Sequence, residues 1–159
     1  GTVCVAEGSN AALQALKPLI DAIEGRWMPV NDIDRGLYHA ALSVVSNVTK
    51  AVTWKAENWL VSSGLPGPTA TAVVQELLQS TVEDLFRSGA RKSITGPVVR
   101  GDTSTVGAHM YALAEKPPED MDVYRILVRT ILELAQDRGD LDQETLENFT
   151  RLLKGQQPG

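Results

Sequence analysis

Two groups of polar residues in this chain have types and spacing that could do chemistry. The first is a stripe on a long amphipathic run. At about 100° per helical residue, His39, Ser43, Ser46 and Lys50 fall within about 60° of one another, and Asn47 lies about 80° from His39. A solvated helix face usually carries long charged side chains; this one offers short polar groups over its first three turns. Such a stripe suits a face turned into a cleft or against another domain. Histidine is the side chain that changes charge near neutral pH, so His39 is the natural proton donor or acceptor, with Asn47 flanking it and Ser43 expected to contact the substrate. An ordinary helix face with a hydrogen-bonded histidine would carry the same residues.

The second group is the segment Thr95-Gly96-Pro97-Val98-Val99-Arg100-Gly101-Asp102, running into Thr103-Ser104-Thr105. Two glycines let backbone approach a ligand closely, and a helix starting after Asp102 turns amides and a positive dipole end outward. Asp102 is also placed to occupy some of those amides as the N-cap. Arg100 adds a planar cation suited to carboxylate or phosphate. The segment therefore fits a small anion, and equally an ordinary connection between helices. Other chemistries find no support. The chain has no Gly-x-Ser-x-Gly elbow, no phosphate loop ending Gly-Lys-Ser/Thr and no Gly-x-Gly-x-x-Gly. His39 and His109 show no paired ligand spacing, and Cys4 is the only cysteine, so neither a metal site nor a disulfide is expected.

The elements that must position these groups read as follows. Thr2 to Ala6 and Arg26 to Val30 are β-prone. Between them Ser9 or Asn10 caps a helix with Leu13, Leu16, Leu19, Ile20 and Ile23 at helical spacing, kinked at Pro18 and stopped by Gly25. That is a β-α-β unit of about thirty residues, and two strands make no stable sheet in water. From Asp34 the pattern is helical. One long helix is expected to Ser63, with Leu37, Ala41, Val44, Val45, Val48, Val52 and Trp59 on one side. A second is expected from Thr69 to Ser88, with Val73, Val74, Leu77, Leu78, Leu85 and Phe86 inward. Residues 90–101 read as a loop. Three more helices follow: Asp102 to Ala114; Glu119 to Asp137, with Val123, Ile126, Leu127, Ile131 and Leu134 inward; and Asp142 to Leu153.

At 159 residues, 43% hydrophobic and 22% charged, the chain can bury one core and is neither disordered nor fibrous. A net charge of −5 argues against general nucleic-acid binding. No apolar run approaches a membrane span and no signal pattern opens the chain, so a cytoplasmic protein is expected. Opening on Gly1 rather than Met, the chain reads as a fragment or a processed product.

Taken together, Tyr38-His39-Ala40-Ala41, Ser46-Asn47, Thr95-Gly96-Pro97, Arg100-Gly101-Asp102, Thr105-Val106 and His109 resemble the DUF2520 family across nearly the whole chain. Members of that family carry a Rossmann-like NAD(P)-binding domain followed by a helical domain. More distantly, the layout is similar to pyrroline-5-carboxylate reductases and the 6-phosphogluconate-dehydrogenase-like superfamily. The resemblance implies a mainly α fold, 6-phosphogluconate-dehydrogenase C-terminal-like, with a short β-α-β remnant at the N-terminus. Residues 1–31 would be the tail of a nucleotide domain, 32–154 the helical domain and 155–159 a frayed tail. It implies a homodimer, and NAD(P) in the full-length protein with none bound to this chain alone.

By the same resemblance, the helix carrying His39 and Asn47 presents its catalytic residues toward the nicotinamide. Many relatives use Lys there, and a His departs from that usage. Thr95, Gly96, Pro97, Arg100, Gly101, Asp102 and Thr105 correspond in placement to a loop that binds the substrate's carboxylate. The chain is thus expected to be the dimerisation and substrate-cleft domain of an NAD(P)-dependent oxidoreductase, inactive by itself. The alternative is a non-enzymatic helical dimerisation or protein-interaction module.

Overall fold

A computed structural model describes residues 1–155. The element order is β1 (Val3–Ala6), α1 (Asn10–Ala22), β2 (Arg26–Pro29), α2 (Arg35–Ser43), a π-helical turn (Val44–Val48), α3 (Thr49–Ser62), α4 (Gly67–Ser88), α5 (Ala90–Ser93), α6 (Thr103–Leu113), α7 (Pro118–Arg138) and α8 (Gln143–Leu153). The fold is mainly α with a β-α-β unit at its N-terminus, as the sequence predicts. Of the tail expected at 155–159, Gly155 has a φ of 78° and the rest lies outside the described residues. The chain divides into two compact units, Gly1–Val74 and Gln75–Gly159.

In the first unit, β1 and β2 pair in parallel with Val3 opposite Arg26 and Ala6 opposite Pro29. Among the described residues this sheet has two strands and an unpaired edge on each side. Ser9 caps α1 by accepting from the Ala12 amide, and the helix runs on through Pro18, which cannot donate to a carbonyl one turn back. Gly25 is not the left-handed stop the sequence suggests. Glu24 takes that conformation at φ 53°. Gly25 is required instead by close approach, because a Cβ there would lie 2.7 Å from Ile20 Cγ2 and 3.0 Å from Cys4 Sγ. Between residues 1 and 69 no side chain is fully buried.

The second unit holds the hydrophobic core. Val106 and Met110 from α6, Val128 and Leu132 from α7, and Phe149 and Leu153 from α8 meet with Val98 from the preceding loop. Each helix contributes residues four apart, which stack on one face. The expected inward face of α7 is off by about one residue, or about 100° of rotation. Ile126 is 59% exposed, while Val128, Leu132 and Ala135 are buried. The apolar band of α7 is wide enough for either choice, and the face bearing small Ala135 and β-branched Val128 is the one that meets α6 and α8. The expected inward face of α4 is also revised: Leu77 is 66% and Phe86 88% exposed, because no helix among the described residues covers them.

Candidate functional site

The helix bearing the polar stripe starts from a polar clamp. Asp34 caps α2 by accepting from the Leu37 amide at 2.9 Å. Glu7, at the end of β1, accepts from Arg35 Nε at 2.9 Å and from the Asp32 amide at 3.1 Å. The Arg35 guanidinium, first through these hydrogen bonds, holds the Glu7 carboxyl below its ordinary value. The β-α-β unit is thereby tied to the start of α2.

The single long helix expected from Asp34 to Ser63 has a π-turn in its middle. The Thr49 amide donates five residues back to the Val44 carbonyl, and Thr49 Oγ1 donates to the same carbonyl at 3.4 Å. Ser46 Oγ donates to Leu42 O at 3.0 Å. These hydroxyls supply local hydrogen bonds where the regular ladder is interrupted. A π-turn takes up one extra residue, so everything beyond it is set back by about 100°. Lys50 is therefore turned away from His39, and Asn47, inside the turn, is turned toward it. Ser46 spends its hydroxyl on its own helix. The face is better written His39, Ser43, Asn47: Ser43 is half-buried and the other two are exposed. No hydrogen bond joins these three side chains among the described residues.

The Thr95-to-Thr105 segment belongs to the second unit. The stretch before it, expected as loop throughout, contains the short helix α5. Two arginines hold α5 to the end of α7: Arg91 pairs with Asp137 at 2.8 Å, and Arg138 donates to the carbonyls of Arg91 and Ile94 while pairing with Asp140. Gly96 and Gly101 take φ of 111° and 73°, conformations that favour glycine. Gly101 also faces Thr145, whose Cγ2 would lie 3.2 Å from a Cβ. The loop is closed on itself by Asp102 N–H to Pro97 O at 2.9 Å and Arg100 N–H to Gly96 O at 3.2 Å, with Val98 buried beneath it.

The outward amides expected at the start of α6 are largely taken. Asp102 Oδ1 accepts from the Thr105 amide at 2.9 Å and Oδ2 from Thr105 Oγ1 at 2.6 Å. The Thr105 hydroxyl, then its amide, then the Arg100 charge hold the Asp102 carboxyl below its ordinary value. A carboxylate thus already sits where an anion would use those amides. Arg100 remains exposed and makes no ion pair among the described residues. Sequence reasoning left out one polar pair of this unit, His109 with Tyr124, whose Nδ1 and Oη are 2.7 Å apart. The available signal was the step of seven residues from Asp102 to His109, which returns to the same side of α6.

The β1–α1 turn does not fit the pyrophosphate of a dinucleotide. The β1–α1 turn, where a parallel β-α-β would take the pyrophosphate, carries the Glu7 carboxylate, and Ser9 caps the helix behind it. Among the described residues no three His, Cys, Asp or Glu side chains group as a metal site, and no helix is long and apolar enough to cross a membrane.

The architecture is that of a mainly α domain led by a β-α-β unit, with one polar helix stripe and one self-closed loop. A family model described as "Domain of unknown function (DUF2520)" matches residues 2–131, and the chain belongs to that family. No curated protein and no solved structure matched the chain.

Proposed function

We propose that this chain is the helical dimerisation and substrate-cleft domain of an NAD(P)-dependent oxidoreductase, with the cofactor held by a separate nucleotide-binding domain. The observation that carries the reading is the composition of the α2–α3 helix. Leu37, Val45 and Trp54 are 70%, 74% and 60% exposed and point in different directions around the axis, while His39, Ser43 and Asn47 form a short-chain polar strip between them. A helix that is apolar on most sides is normally covered on most sides. A second copy of the chain and a preceding domain would provide that cover, and the polar strip would line the cleft. The open edges of the β1–β2 sheet support attachment to a larger sheet. In this reading His39 and Asn47 face the reacting groups, and the loop bearing Arg100 binds the anionic end of the substrate. The chain alone is inactive because the dinucleotide must be positioned elsewhere.

The test is fluorescence titration with NADP(H). A longer protein that includes the preceding domain binds the nucleotide and the isolated chain does not. Absence of binding by the longer protein, together with a turnover indifferent to His39→Ala, removes the oxidoreductase reading. Light scattering tests the second copy: a dimer is expected at micromolar concentration, and a clean monomer overturns that part. The exposed apolar surface by itself also favours a non-enzymatic helical interaction module. That reading is adopted if the chain dimerises while no nucleotide binds the longer protein.

A further inference from the structure

Arg125 of α7 is a half-buried cation whose donors are unspent. Its Nε is buried and has no hydrogen-bond partner among the described residues. The carboxylate it pairs with, Asp122, holds Oδ1 4.0 Å from Nη1, beyond hydrogen-bond reach. A guanidinium taken partly out of water without hydrogen bonds is costly. Arg91 and Arg138 show the usual solution within the same unit: each pairs with an aspartate and donates to backbone carbonyls.

Asp122, Arg125, Ile126 and Arg129 follow one another at i, i+3, i+4 and i+7, which is one face of α7. With Leu153 and Lys154 from the end of α8 they line a cavity of about 460 Å³, wholly within the second unit. Arg129 and Lys154 are exposed and, like Arg125, make no side-chain hydrogen bond among the described residues. Three cations and one carboxylate thus face the same cavity in a chain whose net charge is −5. Arg129, Leu153 and Lys154 also line an adjoining α7–α8 groove of about 490 Å³, whose rim carries Glu133 and Glu147. These stand one and two turns along their helices from Arg129 and Lys154, so the groove is cationic at one end and acidic at the other.

We propose that the cavity between Arg125, Arg129 and Lys154 binds a phosphate monoester, whose body lies in the adjoining groove with its hydrogen-bond donors toward Glu133 and Glu147. The two cations in excess of Asp122 match a group that carries close to two negative charges near neutral pH; a carboxylate would leave one of them unmatched. The arginines supply planar forks for the phosphate oxygens and Lys154 a point charge. The carbonyl end of α8 lies at the same rim and carries partial negative charge, so affinity depends on the three side chains rather than on backbone. The site shares no residue with the Arg100 loop and does not rest on the oxidoreductase reading.

The test is a titration of this chain at slightly alkaline pH and constant ionic strength. O-Phosphoethanolamine shifts the Nε–H resonances of Arg125 and Arg129 saturably and raises the urea midpoint. Inorganic phosphate does the same more weakly, and dimethyl phosphate, with a single charge, about tenfold more weakly still. Arg129→Gln weakens binding about tenfold and Lys154→Gln about threefold, while Glu133→Gln removes the advantage of phosphoethanolamine over inorganic phosphate. Arg125→Met keeps a long apolar stem and weakens binding about tenfold. It leaves the midpoint of the unliganded chain no lower, because the donor it removes had no partner. No saturable shift with either phosphate, or binding untouched by Arg129→Gln, overturns the proposal. Binding that is lost in Arg100→Gln yet kept in Arg129→Gln assigns the anion to the Arg100 loop and overturns it too. Equal affinity for dimethyl phosphate shows a diffuse positive field and no built site. Phosphoethanolamine carries neither base nor nicotinamide, so these outcomes are independent of the nucleotide titration.

Discussion

The α2–α3 helix and the α6–α7–α8 core differ in what they bury, and the difference shows where the described chain supplies its own core. Phe149 and Val106 are fully buried, and α7 and α8 each turn an apolar face inward and a charged face outward. In the first unit, Leu37, Val44, Val45, Val48 and Trp54 are all exposed, and no side chain before Ala70 is fully buried. Burying a large apolar side chain contributes about 1.5–3 kcal/mol. The second unit gains this several times over and the α2–α3 helix gains little of it within this chain. The polar groups follow the same division. In the second unit, Asp102, Thr105, His109 and Tyr124 are bonded to one another in pairs, whereas His39, Ser43 and Asn47 stand along their helix without such bonds.

Core truncation breaks this comparison most directly. Phe149→Ala is expected to cost about 3–5 kcal/mol, the range for a fully buried aromatic that leaves a cavity, and to lower the urea midpoint of the second unit accordingly. Val45→Ala removes a side chain that is 74% exposed and should change the stability of a monomeric chain by less than about 0.5 kcal/mol. Measured on a dimer, Val45→Ala should cost clearly more, with a midpoint that rises with protein concentration. Equal costs for the two substitutions in a monomer would mean that both helices are covered alike, and the comparison would fail.

What was legible in the sequence follows from which signals are local. The caps are short-range chemistry: Asp102 caps α6 as expected, Ser9 rather than Asn10 caps α1, and Asp34 and Asp142 cap the helices whose expected starts they mark. The β-α-β unit, the family and the mainly α class were legible for the same reason. The inward face of α7 was not, because Val123, Ile126 and Leu127 compete with Tyr124, Val128 and Leu132, and the choice lies with α6 and α8. The π-turn was hidden because its departure from the regular ladder is confined to Val44–Val48, and a constant rotation per residue cannot register it. That single turn decides whether Lys50 or Asn47 shares the face of His39. The loop residues Thr95, Gly96, Pro97, Arg100 and Gly101 were legible as a turn-rich segment. The filling of the α6 amides by Asp102 and the pairing of His109 with Tyr124 depend on tertiary placement.

Acid titration sharpens the same comparison with a smaller effect. Asp142, held down first by the Thr145 amide and then by its hydroxyl, and Asp102, held down by Thr105, lie below their ordinary value of 3.8. Glu7, beside Arg35, lies below its ordinary 4.5. A carboxyl whose folded value is depressed stabilises the fold at pH above its unfolded value, and that contribution disappears as pH falls through the folded value. Stability should therefore be level through neutral pH and decline below about pH 5. In the second unit, Asp142→Asn together with Asp102→Asn should flatten that decline in urea midpoints, since both carboxylates cap helices that build the core. Arg35→Ala should leave the midpoint of that unit unchanged at every pH, because Glu7 and Arg35 clamp a helix that buries little, and Arg35 is 79% exposed and screened by salt. A core transition whose acid limb responds to Arg35→Ala and not to the two cap substitutions would place the pH-sensitive stability in the first unit.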